Sequence, residues 1–189
     1  MTTAFALLSI AVRFAQPLGA IPMARHVALY SFIVFTIAAL PIPGQAEGLL
    51  TTHRIPAELA SQAVAEAVAS CTKQGYAETA VLVDADGVRQ AVLRGDRAGS
   101  HTLDSANDKA YTAASFKTDT SALFERSKTA PGFANLFTQL PHLILLGGGI
   151  VIKVGDEVVG AIGASGAPGA NLDDACAKAG LDKIRDQLK

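Results

Sequence analysis

Residues 79–94, TAVLVDADGVRQAVLR, constrain the fold more than any other stretch of the chain. Two runs rich in valine and leucine flank Asp84–Gly87, where Asp and Gly supply turn geometry, and this pattern is the signature of a β-hairpin. A hairpin commits both its strands to antiparallel pairing. Residues 143–166, LILLGGGIVIKVGDEVVGAIGASG, read as three further strands, divided by Gly147–Gly149 and by the turn at 155–157. Helical patterns surround these strands. Pro56 opens a helix at a position where proline is tolerated, and Ala60, Val64, Ala67, Val68 and Cys71 recur on one face before Gly75 stops it. A second helix is predicted over 102–116, with Ser100 or Thr102 as cap, and a short third over TDTSALFERS. KTAPGFANLFTQLPH reads as loop, with Pro131, Gly132 and Pro141 as breakers. A last helix is predicted over roughly 171–188, capped by Asn171. The order is helix, hairpin, two helices, three strands, helix. It predicts an α+β domain on an antiparallel sheet and argues against a doubly wound nucleotide fold. At 189 residues, one core is expected rather than two.

The N-terminal part has a different character. VALYSFIVFTIAAL, residues 27–40, is an apolar run preceded by MARH and followed by PIPGQA. A basic start, a short apolar core, helix breakers and small residues describe a secretory signal, and the run is shorter than the roughly 20 residues a bilayer-spanning helix needs. Cleavage is expected after Ala46, with Met23 as the true start and residues 1–22 as upstream sequence. Residues 1–46 are thus a signal region and 47–189 the exported domain, periplasmic or extracellular. Of 16 basic and 17 acidic side chains, Arg13 and Arg25 precede residue 47 and no acid does, leaving 14 against 17 and a formal charge of −3. The chain has no basic run of the kind that tracks nucleic acid. Cys71 and Cys176 both stay in the exported part, where disulfides are permitted. Both are expected on packed helix faces. Whether they bond depends on their Cα atoms approaching within about 7 Å.

Few motifs carry chemistry. Gly147–Gly149 lacks the Lys-Ser/Thr of a phosphate loop and is followed by a strand, so close backbone packing is its expected use. Ser165 does not sit in a nucleophile elbow. His53, His101 and His142 are dispersed without zinc spacing; His101 stands out because it opens the second helix. Asp173 and Asp174 read as acids favoured by a helix N-terminus. The second helix is the unusual element. Leu103, Ala106, Ala110 and Ala113 fall on one side, a thin face that suits close packing on a sheet. Asp108 and Thr112 fall opposite, with Ser115 beside them and Lys109 and Tyr111 flanking. Taken alone, that is a helix with a solvated polar face.

LRGDRAGSHTLDSANDKAYTAASF resembles the haem-binding and haem-degrading family that includes HbpS and GlcG, with Lys-Ala-Tyr-Thr-Ala at the centre of the helix. The similarity continues through GDEVVGAIGASGAP and into the final alanine-rich helix, over about residues 50–188. Many relatives carry a proline at the glycine-rich turn, where this chain has Gly149-Ile150. The resemblance implies a profilin-like domain, an antiparallel sheet flanked by helices, assembling into a homo-oligomer such as an octamer. It implies haem as cofactor, weakly held, with Thr112 as iron ligand. Lys109 would hold a propionate, with Arg94 and Arg97 as alternatives, and His101 is a further candidate ligand. The function implied is exported haem binding, with oxidative haem degradation as an activity. The competing reading is a non-catalytic oligomeric module that partners a membrane sensor or an oxidoreductase; a corrinoid is a third option for the ligand.

Overall fold

The computed structural model describes Gly48 and residues 51–189. The predicted signal region, the start at Met23 and the cut after Ala46 lie outside the described residues. The elements are α1 (Ala57–Lys73), β1 (Thr79–Asp84), β2 (Arg89–Arg94), α2 (His101–Phe116), α3 (Thr120–Thr129), α4 (Pro131–Gln139), β3 (Gly149–Val154), β4 (Glu157–Ser165) and α5 (Ala170–Ile184), ending in a 3-10 turn at Arg185–Gln187. The four strands form one sheet in the order β2-β1-β4-β3. Every pairing is antiparallel, and Val81 lies opposite Val92 on one side and Gly163 on the other.

Strand side chains alternate between faces, so the sheet carries two cores. Ala80, Leu82, Ile152, Ile162 and Ala164 pack against α1 and α5. Val81, Val83, Val151 and Ala161 face the alanines of α2. All six residues of β1 are consequently buried, whereas the edge strand β2 is largely exposed. On the first face, Ala60, Ala63 and Ala67 of α1 let α5 approach closely, and a Cβ on Gly180 would lie 2.5 Å from the carbonyl oxygen of Ala63. Cys71 and Cys176 are fully buried at this junction and form a disulfide with a Cα–Cα separation of 5.6 Å.

Three local expectations are corrected. Residues 131–139 are helical, because Pro131 occupies the first turn, where its missing N–H costs nothing. Phe133 and Phe137, four apart, then pack on Phe116 with ring centroids 5.9 and 5.2 Å away. The apolar run 143–146 is not a strand. Its backbone is tied to α2 instead, through the N–H of Ile144 and the Thr112 hydroxyl at 3.0 Å. At α5 the cap position is Gly169, and Asn171 lies inside the helix.

Candidate functional site

The thinness of α2 has a direct structural cause. A Cβ on Gly163 of β4 would lie 2.0 Å from the carbonyl oxygen of Ala106, and one on Gly149 of β3 would lie 2.3 Å from that of Lys109. Helix backbone rests on strand backbone at both places. Only glycine on the sheet and small residues on the helix permit that approach. Ala106, Ala110 and Ala113 are accordingly fully buried, while Leu103 is at the edge of the face and exposed.

That close approach pulls polar residues of α2 into the interior. Lys109 is 0 % exposed, and its Nζ donates to Asp173 Oδ2 at 2.6 Å and to the carbonyl of Ala164 at 3.0 Å. Asp173 also accepts the N–H of Ala167 at 2.9 Å, so this acid joins the start of α5 to the end of β4. Beside the pair lies Glu78, also fully buried. As a carboxylate, neither of its oxygens has a hydrogen-bond partner. Burial first, and then the neighbouring Asp173, push its pKa up to about 8, with the acid form donating to Asp173. One cation, one anion and one neutral acid thus balance the buried cluster.

Thr112 is fully buried as well, for a different reason. The segment following α4 crosses the outer side of α2, and Thr112 binds it twice: its hydroxyl accepts from the N–H of Ile144 at 3.0 Å and donates to the carbonyl of His142 at 3.5 Å. An apolar groove of about 310 Å³ lies between this strap and α2, lined by Tyr111, Ser115, Phe116, Leu140, Pro141 and Leu143. His142 sits in the chain between the lining residues Pro141 and Leu143 without lining the groove itself, and its side chain is 67 % exposed. Nδ1 of His142 lies 3.2 Å from Asp108 Oδ1, and its ring meets the edge of Tyr111 with centroids 6.4 Å apart.

The residues singled out in the sequence therefore fall into separate places. The solvated polar face expected for Lys109 and Thr112 does not exist, because α5 covers one and the strap covers the other. The Lys109 ammonium is committed to Asp173, and the Thr112 hydroxyl to the strap. His101 is exposed at the opposite end of α2, about 16 Å along the axis from Thr112. Arg94 at that end donates to the carbonyl of Ala98, and Arg97 is exposed with φ 66°. Sequence reasoning did not foresee the contact of His142 with Asp108 or the burial of Glu78. Asp108, four residues before Thr112 on the same face, was the available signal that a partner from another segment belongs there.

An antiparallel sheet with helices on both faces, one of them laid backbone to backbone on the strands, defines the class: a profilin-like α+β domain. Residues 55–182 match the model of the HbpS-like haem-degrading proteins, and the chain belongs to that family. Its fold is similar to that of an HbpS double mutant from Streptomyces reticuli, with 34% identity and a TM-score of 0.67 over 77% of this chain and 97% of that one. A second HbpS structure matches at 34% identity and a TM-score of 0.66, covering 71% of this chain and 92% of that one. A complex of PduOC with haem shares the fold at 24% identity, with a TM-score of 0.64 over 70% and 96% of the two chains. No curated protein sequence matches significantly.

Proposed function

We propose that this protein is exported and binds haem in the groove between α2 and the strap at residues 140–146, where it supports oxidative haem degradation. The observation that carries the site is the groove itself. Its apolar and aromatic lining suits a porphyrin face, and its volume lies within the range of small-molecule sites. A donor type that haem iron accepts is also at hand, the phenol of Tyr111 in the lining. Among the described residues no cluster of three or more His, Cys, Asp or Glu is placed to hold a metal ion. That does not count against haem, because the porphyrin supplies four of the ligands itself.

Bound haem would supply the oxygen and electron chemistry of its own breakdown. The chain's residues would position it and shield one face. Tyr111 and Phe116 would stack or edge against the macrocycle, and Leu140, Pro141 and Leu143 would cover it from the strap. The groove opens to solvent, which leaves an approach for peroxide or a reductant. Thr112 as the iron ligand is a second reading, favoured by its position beneath the groove. It requires the strap to release the hydroxyl.

Export is supported by the signal-like N-terminus and by the Cys71–Cys176 bridge, a bond that persists in oxidising compartments. Self-association is supported by Val88, Val92 and Leu93, which expose apolar surface on and beside the edge strand β2. Titration of the purified protein with haemin, followed by ascorbate or peroxide, tests the function. A Soret band that decays with release of chelatable iron supports degradation, and a stable band means that haem is carried. No Soret band at any haemin concentration overturns the reading. Protein recovered from the cell envelope should begin Glu47-Gly48-Leu49, and a product beginning before Val27 would refute cleavage after Ala46.

A further inference from the structure

We infer that the outer edge of β2 docks on β2 of a second copy of this chain, antiparallel and about a two-fold axis at Val92, with the hairpin turn of each copy seated against Gly95–Arg97 of the other. The inference rests on the self-association reading and goes beyond it by naming the surface and its register.

The two edges of the sheet are finished differently. On β3, Asp119 Oδ1 accepts the N–H of Val151 at 2.8 Å and the Thr120 hydroxyl accepts that of Gly149 at 2.9 Å, so the start of α3 closes that edge. No strand lies outside β2. The N–H of Gly95 turns inward to the carbonyl of Glu78 at 2.8 Å. Bonded and non-bonded pairs alternate along an antiparallel ladder, so Leu93 and Ala91 also bond inward, to Ala80 and Leu82, and the N–H and C=O of Val92 point outward. Unpaired groups of this kind are a template for another strand. β2 keeps its charges, Arg89 and Arg94, at its ends and leaves Ala91, Val92 and Leu93 between them. Val92 is 45 % exposed and Leu93 38 %, and Val88, just before the strand, is 61 % exposed.

A second copy is the occupant because the edge is complementary to itself, as a two-fold contact requires. An axis at Val92 makes that residue a bonded pair with its own counterpart and sets Leu93 opposite the partner's Ala91, both on the α1 side of the sheet. Gln90 is the extra residue of a bulge and faces no residue of β1, so the regular ladder is short and ends there. Side chains beyond it extend the contact. Val88 of each copy comes alongside Gly95 of the other, where a hollow of about 390 Å³ opens between α1 and β2 with Val68, Tyr76 and Leu93 in its lining. The charges match as well. The turn end of β2 carries Asp84, Asp86 and Arg89, two acids to one base, and the far end carries Arg94, Asp96 and Arg97, two bases to one acid. Antiparallel pairing sets each acidic end against a basic end and brings Asp86 beside the partner's Arg97. Asp86 is free to respond: its side chain is 70 % exposed, and its one ion pair among the described residues, with Arg54, is 3.9 Å long.

Sedimentation velocity over a concentration series, with non-reducing gels of cysteine variants, tests the surface and the register separately. The purified wild type should self-associate. Val92→Lys sets two ammonium groups face to face on the axis and should raise the dissociation constant of this contact roughly tenfold or more. Asp86→Arg and Arg97→Asp should each weaken association, and the two together should restore it, a rescue that a general loss of fold cannot produce. Val92→Cys should cross-link to its own counterpart in mild oxidant, because Cα atoms of a bonded antiparallel pair lie about 5.5 Å apart, within disulfide reach. Leu103→Cys, exposed away from this edge, should not. Circular dichroism confirms the fold of each variant. Association unchanged in Val92→Lys, with no cross-link in Val92→Cys, overturns the inference and leaves self-association to another surface. Weakening by Val92→Lys without the Val92→Cys cross-link overturns the register. A wild type that stays monomeric at every concentration gives the edge to a different occupant and sinks the self-association reading as well.

Discussion

Glu78→Gln should make the protein more stable at alkaline pH, and the size of the gain follows from the buried cluster. Glu78 is fully buried, and burial together with Asp173 pushes its pKa up to about 8 from an ordinary value of 4.5. Between those two values the folded protein holds a proton that the unfolded chain has released. Stability therefore falls as pH rises through that window and levels off above it. At 1.36 kcal/mol for each unit of pKa, the loss reaches at most on the order of 5 kcal/mol. Partial hydration of the opened cluster at high pH lowers that figure. A carboxamide keeps the shape and can donate to Asp173 as the acid does, yet it has no proton to lose. For a domain of this size, a difference of 2–4 kcal/mol corresponds to a shift in Tm of roughly 10 °C. Thermal melts of both proteins at pH 5, 7 and 9 test the argument. The two melting curves should lie close at pH 5 and separate progressively to pH 9, with the variant higher. A separation that stays constant across the range would refute the placement of the extra proton on Glu78.

Lys109→Met removes the only cation from the same cluster and leaves Asp173 buried without it, so a loss of about 3–5 kcal/mol is expected in urea unfolding. Gly163→Val should destabilise by on the order of 2–3 kcal/mol or prevent folding, because the first added carbon already meets the α2 backbone, and soluble yield with circular dichroism reports it. Reducing the Cys71–Cys176 bridge opens a loop closed over 105 residues, and a loss near ~4 kcal/mol is expected, measured as the drop in denaturation midpoint with reductant.

The hairpin, the helices α1, α2, α3 and α5 and the strands β3 and β4 were legible because each has its own periodicity or turn chemistry. What escaped depended on contacts between distant segments. Pro131 and Gly132 look like breakers until Phe133 and Phe137 find Phe116, and then a proline in the first turn is a helix start. The run 143–146 has strand-like composition, yet the sheet edge beside it is not where its backbone bonds go. A helical wheel places Lys109 and Thr112 away from the alanine face but cannot register a further layer outside it. Asp173, 64 residues after Lys109, and the strap near residue 142 are that layer. Asp173 and Asp174 were read as acids favoured by a helix end, which is true of their position and silent about the lysine that one of them binds. The composition of the site was visible, and its separation into a buried charge cluster and an open groove was not.

The Cys71–Cys176 bridge joins the first helix of the described domain to the last, and the two ends of that domain also meet: His53 to Pro56 and Gln187 to Lys189 line one shared cavity. Topologically the domain is a closed ring. A single protease cut anywhere between Thr72 and Ala175 releases no fragment until the bridge is reduced, so a nicked molecule can travel as one particle in an oxidising medium. The same closure makes the chain a candidate for circular permutation, with residue 189 linked back to residue 51 and new ends opened at the exposed turn Gly155–Asp156. The α2 groove lies across the sheet from this junction. A tether or label attached at either end of the described domain therefore lies away from the groove.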